Sequence, residues 1–142
     1  MKTGILFFFL VLSITVVPPV HPQSKAGSSP DRAGEQALLV RAVMCEEVRN
    51  YSPVNPAVVF SISSGRISCF TAFDPVPGKM FIHHNWFHKG TMVTRKTLSL
   101  KPPKWSTFSS IQLREMDKGP WFIEISDSQG KIFKTLRFSI TD

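Results

Sequence analysis

Residues 81–100 read FIHHNWFHKGTMVTRKTLSL, and this stretch predicts a β-hairpin. Strands at 79–88 and 91–100 are rich in aromatic and β-branched residues, and Lys89-Gly90 between them supplies a tight turn. Successive side chains of a strand point to opposite faces. The face with the larger apolar run is expected to meet the core, and it carries Met80, Ile82, His84, Trp86 and His88.

The same two-residue alternation extends outward from this hairpin, for example along Trp121, Ile123 and Ile125. Turn residues separate the other segments, and one helical turn fits within 111–118. The expected fold is all-β, an antiparallel immunoglobulin-like β-sandwich of about seven to eight strands. The predicted strands are 38–45, 57–63, 67–73, 79–88, 91–100, 105–109, 121–127 and 131–140. Both cysteines precede Trp86, so the likeness to immunoglobulin domains is architectural only.

The start of the chain has the pattern of an export signal. Lys2 precedes an apolar run at 5–17, which is shorter than the roughly 20 residues of a spanning helix. Small residues at Ser24 and Ala26 predict cleavage after Ala26, and the alternative is an uncleaved N-terminal anchor. Both interpretations place the domain outside the cytoplasm, in the periplasm or the extracellular space.

The chain of 142 residues therefore divides into three parts. Residues 1–26 are the predicted signal peptide. Residues 27–37 are the predicted disordered leader, because 18–37 is rich in Pro, Ser, Gly and Ala and cannot bury enough apolar surface to offset its ordering entropy. Residues 38–142 remain for the sandwich, and that length is enough for one core.

Cys45 and Cys69 are the only cysteines. An even count in an exported chain predicts one disulfide between them. The alternative is a pair of buried free thiols, because each cysteine also lies in an apolar, strand-like stretch.

The histidines of the hairpin do not form a metal-binding pattern. His84 and His88 share a face, but they would lie about 13 Å apart along a strand. His83 points to the opposite face, and the paired cysteines of structural zinc sites are missing. We therefore expect no metal and no cofactor, and we interpret His84 as a buried, hydrogen-bonded residue beside Trp86. Trp86, Trp105 and Trp121 are predicted to be structural residues of the core.

Positive charge is concentrated in the middle of the chain. The protein has 17 Lys and Arg against 10 Asp and Glu, and no acidic residue lies between Asp74 and Glu115. Such a field attracts polyanions. The candidate binding residues are Lys89, Arg95, Lys96, Lys101 and Lys104.

The predicted hairpin distributes these cations. Lys89 lies at one end of it and Lys79 and Lys101 lie at the other, with Arg95 or Lys96 exposed between them according to the register. The alternative is a solvated basic rim with core aromatics behind it.

The candidate partners follow from charge and export. Anionic envelope glycans and lipid headgroups fit both, whereas nucleic acid is not expected outside the cytoplasm. No catalytic motif is present, because the serine-hydrolase elbow, the zinc-protease motif and phosphate-binding glycine loops are all missing. Two non-enzymatic classes remain. One is a binding module for an anionic envelope glycan or lipid, and the other is a structural or protein-interaction module of a bacterial envelope complex that pairs through an edge strand.

An ordered set of motifs resembles the bacterial Domain of Unknown Function 2914 family. The set comprises His84-x-Trp86, Gly90, Trp105-x-Thr107-x-Ser109-Ser110, Gly119-x-Trp121-x-Ile123-x-Ile125-x-Asp127-x-x-Gly130 and Phe138. The similarity extends over about Leu39 to Ile140, with Cys45 and Cys69-Phe70 at family-like positions. Ser106 stands where the family pattern leads us to expect an arginine. The resemblance implies a fold and an exported bacterial context, and it implies no chemistry.

Overall fold

The computed structural model describes residues 36–142. This part of the chain contains nine β-strands and two short 3-10 helices, Ile62–Ser64 and Glu115–Asp117. The second of these is the helical turn that was predicted within 111–118. The strands are β1 (Leu39–Arg49), β2 (Ser52–Pro56), β3 (Val59–Ser61), β4 (Arg66–Phe73), β5 (Met80–His88), β6 (Thr91–Leu100), β7 (Trp105–Gln112), β8 (Gly119–Asp127) and β9 (Ile132–Thr141).

The strands form two sheets, and the predicted β-sandwich is confirmed. One sheet has four strands in the order β2-β1-β4-β7, and the other has five in the order β3-β9-β8-β5-β6. All pairs are antiparallel except β3 with β9, which are parallel. The second sheet is therefore mixed. The chain crosses from the first sheet to the second between β2 and β3.

Strand β2 was not predicted from the sequence. It contains Pro53 and Pro56, and proline removes a backbone donor from a ladder. The strand forms because it lies at the edge of its sheet and pairs with β1 alone, so the missing donors are tolerated there.

The β5–β6 hairpin forms as predicted. Met80 pairs with Leu100 at one end and His88 pairs with Thr91 at the other. Both turn residues are left-handed, with φ of 49° at Lys89 and 84° at Gly90. This conformation matches the twist of the flanking strands in a two-residue hairpin, and it explains why glycine stands at the turn.

The core lies between the sheets and contains the predicted face of β5. Ile82, His84 and Trp86 are 0% exposed, whereas Phe81 on the opposite face is 49% exposed. Asn85 differs from the expectation for the outer face, because it is buried. The Arg95 side chain donates to Asn85 Oδ1 at 2.7 Å, and Asn85 donates to Ser126 at 3.1 Å.

The predicted N-terminal elements fall largely outside the described residues. The signal peptide at 1–26 and the leader through residue 35 lie there. Ala37, the last residue of the predicted leader, is already buried in the core, so the fold begins slightly earlier than Leu38. Within residues 36–142, no helix is long and apolar enough to cross a membrane.

The two cysteines are free thiols, which differs from the predicted disulfide. The register of β1 and β4 gives the physical reason. Cys45 pairs with Ser68, and Cys69 pairs with Met44. Directly opposed residues share a face, so the two cysteines, one position out of step, project from opposite faces of the sheet. A bridge requires Cβ atoms about 3.8 Å apart that point toward each other, and this register does not supply them.

Candidate ligand-binding groove

The histidine of the core is held by hydroxyl groups on both sides. His84 Nδ1 lies 2.8 Å from Ser109 Oγ, and His84 Nε2 lies 3.2 Å from Thr71 Oγ1. Trp86 donates from its indole nitrogen to the same Ser109 oxygen at 3.2 Å. Thr71 can also donate to the Thr107 carbonyl at 3.4 Å.

These contacts select one tautomer of His84. With the proton on Nε2, Trp86 donates to Ser109, Ser109 donates to His84 Nδ1, His84 donates to Thr71, and Thr71 donates to the Thr107 carbonyl. Every donor hydrogen in this series of four hydrogen bonds then has an acceptor. With the proton on Nδ1 instead, Ser109 Oγ would accept from both His84 and Trp86. Its own hydroxyl hydrogen would then have no acceptor among residues 36–142. Burial lowers the pKa of His84 to about 3, so the ring is neutral at physiological pH.

The Ser109–His84 pair has the spacing of a nucleophile and its base, but its surroundings are those of a core. His84 is 0% exposed and Ser109 is 7% exposed. The serine hydroxyl is also engaged by Trp86, and no carboxylate among residues 36–142 bonds to the imidazole. The arrangement therefore orders the interior, in line with the structural role predicted for His84.

The other two histidines of the hairpin lie apart from His84. His83 is 3.0 Å from the Thr97 hydroxyl on the outer face. His88 stacks on Trp121 and bonds to the Lys118 carbonyl. In the described part of the chain, no group of three or more His, Cys, Asp or Glu side chains could hold a metal ion.

The tryptophans differ in burial. Trp86 is 0% exposed and Trp121 is 3% exposed, and both pack against Phe138. Trp105 is only partly buried and packs at the margin of the core. One of the three predicted core tryptophans therefore also presents a surface to solvent.

The candidate basic residues are all exposed, but the structure separates three of them. Lys89 occupies the hairpin turn. Arg95 lies on the outer face of the five-stranded sheet, and Lys96 projects from the opposite face of the same strand. Both are exposed, rather than one of them as the register argument required, because β6 is an edge strand with solvent on both sides.

Lys101 and Lys104 come together beside Trp105. Lys101 Nζ lies 5.3 Å from the centre of the Trp105 ring. The pairing of Phe73 with Trp105 places the start of β7 against the end of β4. The short β6–β7 connection therefore holds both lysines at this end of the four-stranded sheet.

Lys104 and Trp105 border an open groove of about 450 Å³. Trp105 and Tyr51 supply aromatic surface, and Lys104, Asp74 and Ser106 supply polar groups. Tyr51 is 68% exposed and sits in the β1–β2 turn with φ of 55°. Within the described part of the chain, the lining is Val40, Tyr51, Ala72, Phe73, Asp74, Lys104, Trp105 and Ser106.

Sequence reasoning identified the two lysines and Trp105 but missed Tyr51 and Asp74 as neighbours of them. Asp74 follows β4 directly, and the pairing of Phe73 with Trp105 brings this end of β4 to the groove. Tyr51 is the single tyrosine of the chain. An aromatic residue at a turn was the one available signal, and it does not reveal which distant strand the turn meets.

The groove combines flat apolar surface with nearby cations. Aromatic rings offer a flat apolar face, and Lys101 and Lys104 offer cations that an anion can approach from solvent. Pockets of this volume commonly combine such apolar walls with a few polar groups. Ser106, which replaces the arginine expected from the family resemblance, lies on the groove wall. Lys104 lines the same groove, and Lys101 lies over the Trp105 ring.

A family model described as protein of unknown function (DUF2914) matches residues 79–140. This segment belongs to that family. The DUF2914 segment begins just before β5, ends in β9 and contains the ordered motifs from His84 to Phe138. The resemblance is therefore confirmed over residues 79–140, and its expected extension back to Leu39 lies outside the match. Strands β1–β4, with Cys45 and Cys69, precede the matched residues. No curated protein matches the chain.

Proposed function

We propose that the domain is an exported, non-catalytic binding module, and that the groove beside Trp105 binds an anionic envelope glycan. One observation carries the proposal. Two aromatic side chains from distant parts of the chain, Tyr51 and Trp105, border the same open groove as Lys104, with Lys101 over the Trp105 ring.

The aromatic surfaces favour a sugar over a simple anion. The C–H face of a pyranose ring is apolar and packs on an aromatic ring, while its hydroxyls remain free for polar neighbours. Asp74 and Ser106 are available to those hydroxyls. A carboxylate, sulfate or phosphate on the sugar would then meet the ammonium groups of Lys101 and Lys104.

The shape of the site favours a glycan over a bilayer. A groove of about 450 Å³ accommodates one or two sugar rings. A membrane surface would instead be contacted by a broad basic face. The remaining candidate cations, Lys89, Arg95 and Lys96, point in different directions. The export pattern at 5–17 supports an envelope location for such a ligand.

The test is binding of a uronic-acid tetrasaccharide, measured by titration calorimetry at several salt concentrations, with a neutral glucan tetrasaccharide as the matched ligand. Lys101→Gln with Lys104→Gln should weaken uronate binding by about tenfold and reduce its salt dependence. Tyr51→Ala should weaken binding through lost stacking. Because Tyr51 is mostly exposed, its loss should leave the melting temperature nearly unchanged.

Lys134→Gln, an exposed lysine on β9, serves as the charge control and should bind like the wild type. Equal affinity for the neutral and anionic tetrasaccharides would refute the anionic-glycan proposal. So would binding to anionic phospholipid vesicles in place of the uronate.

A further inference from the structure

We propose that β6 is a docking edge for an extended acidic peptide of a partner protein, which would add a strand to the five-stranded sheet. This site is separate from the groove beside Trp105 and does not depend on the function proposed for it. The two features that carry it are an unpaired strand edge and a basic slot directly beside that edge.

The edge is long and open. Strand β6 has ten residues and, in the described part of the chain, pairs only with β5. Every second residue of an edge strand directs its N–H and C=O away from the sheet, ready to pair with another chain. Residues 91–97 are exposed except Thr94, which is partly buried, so this half of the edge is open to solvent.

A slot of about 330 Å³ opens beside this half of β6. Strands β6 and β7 are joined by a short connection, and the slot lies between them, at the open side of the sandwich. Its floor includes Ile111 and the buried Trp121, and Lys96 and Arg114 border it. The lining residues in the described range 36–142 are Val93, Thr94, Lys96, Ser110, Ile111, Gln112, Arg114, Asp117 and Trp121.

The charges around the slot favour an acidic occupant. Strand β6 has no acidic residue, and it carries Arg95 as well as Lys96. Among residues 36–142, Asp117 is the one acidic residue in the slot lining. It is 5% exposed, and its carboxylate accepts from the Arg114 backbone at 2.7 Å and from the Arg114 side chain at 3.4 Å. Lys96 has no such partner among residues 36–142.

The same charges disfavour a second copy of this chain as the occupant. Two β6 edges paired with each other would bring Arg95 and Lys96 of both copies close together. Like charges on facing strands are destabilising. Cations in the middle of an edge strand are a common protection against such self-pairing.

The alternation of side chains along a strand determines which positions of the partner peptide enter the slot. Thr94 and Lys96 line the slot, and Arg95 between them lies on the outer face. A strand added beside β6 would follow the same alternation and direct every second side chain into the slot. Acidic side chains at those alternate positions would meet Lys96 and Arg114, while backbone hydrogen bonds would supply much of the affinity.

The test uses the intact protein and a capped, fluorescein-labelled nine-residue peptide that alternates threonine with glutamate, with binding followed by fluorescence anisotropy. Lys96→Gln and Arg114→Gln should each weaken binding by roughly three- to tenfold. Two further peptides carry N-methyl groups on alternate residues, one set on the threonines and the other on the glutamates. Methylation of the set whose N–H groups face β6 should weaken binding more than about tenfold, and methylation of the other set should have little effect.

Two control variants separate this site from the others. Lys134→Gln on β9 and the double variant of Lys101 and Lys104 should bind the peptide like the wild type. Loss of uronate binding in the double variant would concern only the glycan groove. The docking proposal is overturned if the peptide does not bind, if neither methylation pattern matters, or if the protein instead self-associates through β6.

Discussion

The buried hydrogen-bond chain at His84 predicts a specific loss of stability in mild acid. Burial lowers the pKa of His84 from its ordinary value of 6.5 to about 3. Between these two values the unfolded chain binds a proton at this position and the folded chain does not. The contribution of His84 to stability is therefore complete above about pH 6.5 and is lost as the pH falls toward about 3.

The magnitude follows from proton linkage. A difference of one bound proton changes the free energy of unfolding by about 1.4 kcal/mol per pH unit. Between pH 6.5 and about 4.5, His84 should therefore reduce the free energy of unfolding by about 2–3 kcal/mol. This is a large share of the stability of a small domain.

Urea unfolding followed by tryptophan fluorescence at a series of pH values measures this loss. His84→Gln removes the titrating group. Between pH 6.5 and about 4.5, the free energy of unfolding of this variant should fall by about 2–3 kcal/mol less than that of the wild type, which corresponds to about one proton over two pH units. Acidic residues common to both proteins cancel in the comparison. His83→Gln, which makes the same substitution on the outer face of the same strand, is the matched control for the loss of a histidine.

Identical pH dependence in the wild type and His84→Gln would refute the reasoning. It would mean that the folded core accepts the proton on His84. Nitrogen-15 chemical shifts of the ring provide an independent check, since the chain requires the proton on Nε2 at neutral pH.

The remaining predictions concern the tryptophans and the cysteines. Trp86→Ala should reduce the free energy of unfolding by about 3–5 kcal/mol. Trp105→Ala should reduce it by clearly less, because part of that ring is already in solvent. Equal losses measured by urea unfolding would contradict the assigned burial. Cys45 and Cys69 should both react with a thiol reagent only after unfolding, since both are 0% exposed. Burial also raises the pKa of Cys45 to about 11 and raises the pKa of Cys69, so that the reactive thiolate form is disfavoured in the folded protein. A reducing agent should leave the melting temperature unchanged, and a drop would indicate a disulfide.

Local patterns were sufficient for the regular parts of the fold. The hairpin at Lys89-Gly90 and the buried face of β5 follow from the alternation of residues and from turn chemistry, which involve only near neighbours in the chain. Strand β2 could not be predicted in the same way. Its prolines argue against a strand unless its place at a sheet edge is known, and that place is a property of the whole sheet.

The candidate sites depended on tertiary structure to a greater degree. The sequence identified the exposed cations and one aromatic neighbour, Trp105, because composition and spacing carry that information. It did not reveal that Tyr51 and Asp74 border the same groove, or that Lys96 and Arg114 border one slot. These pairs are distant in the chain, and only the order of strands in the two sheets brings them together.

The sequence by itself determined the all-β class, the central hairpin and the basic character of the middle of the chain, because each follows from local periodicity or from composition. The tertiary structure alone decided the state of the cysteines. In the register of β1 against β4, Cys45 lies opposite Ser68, one residue away from Cys69, and this places the two cysteines on opposite faces of the sheet. Register depends on packing across the whole sandwich, and so a count of cysteines could not supply it.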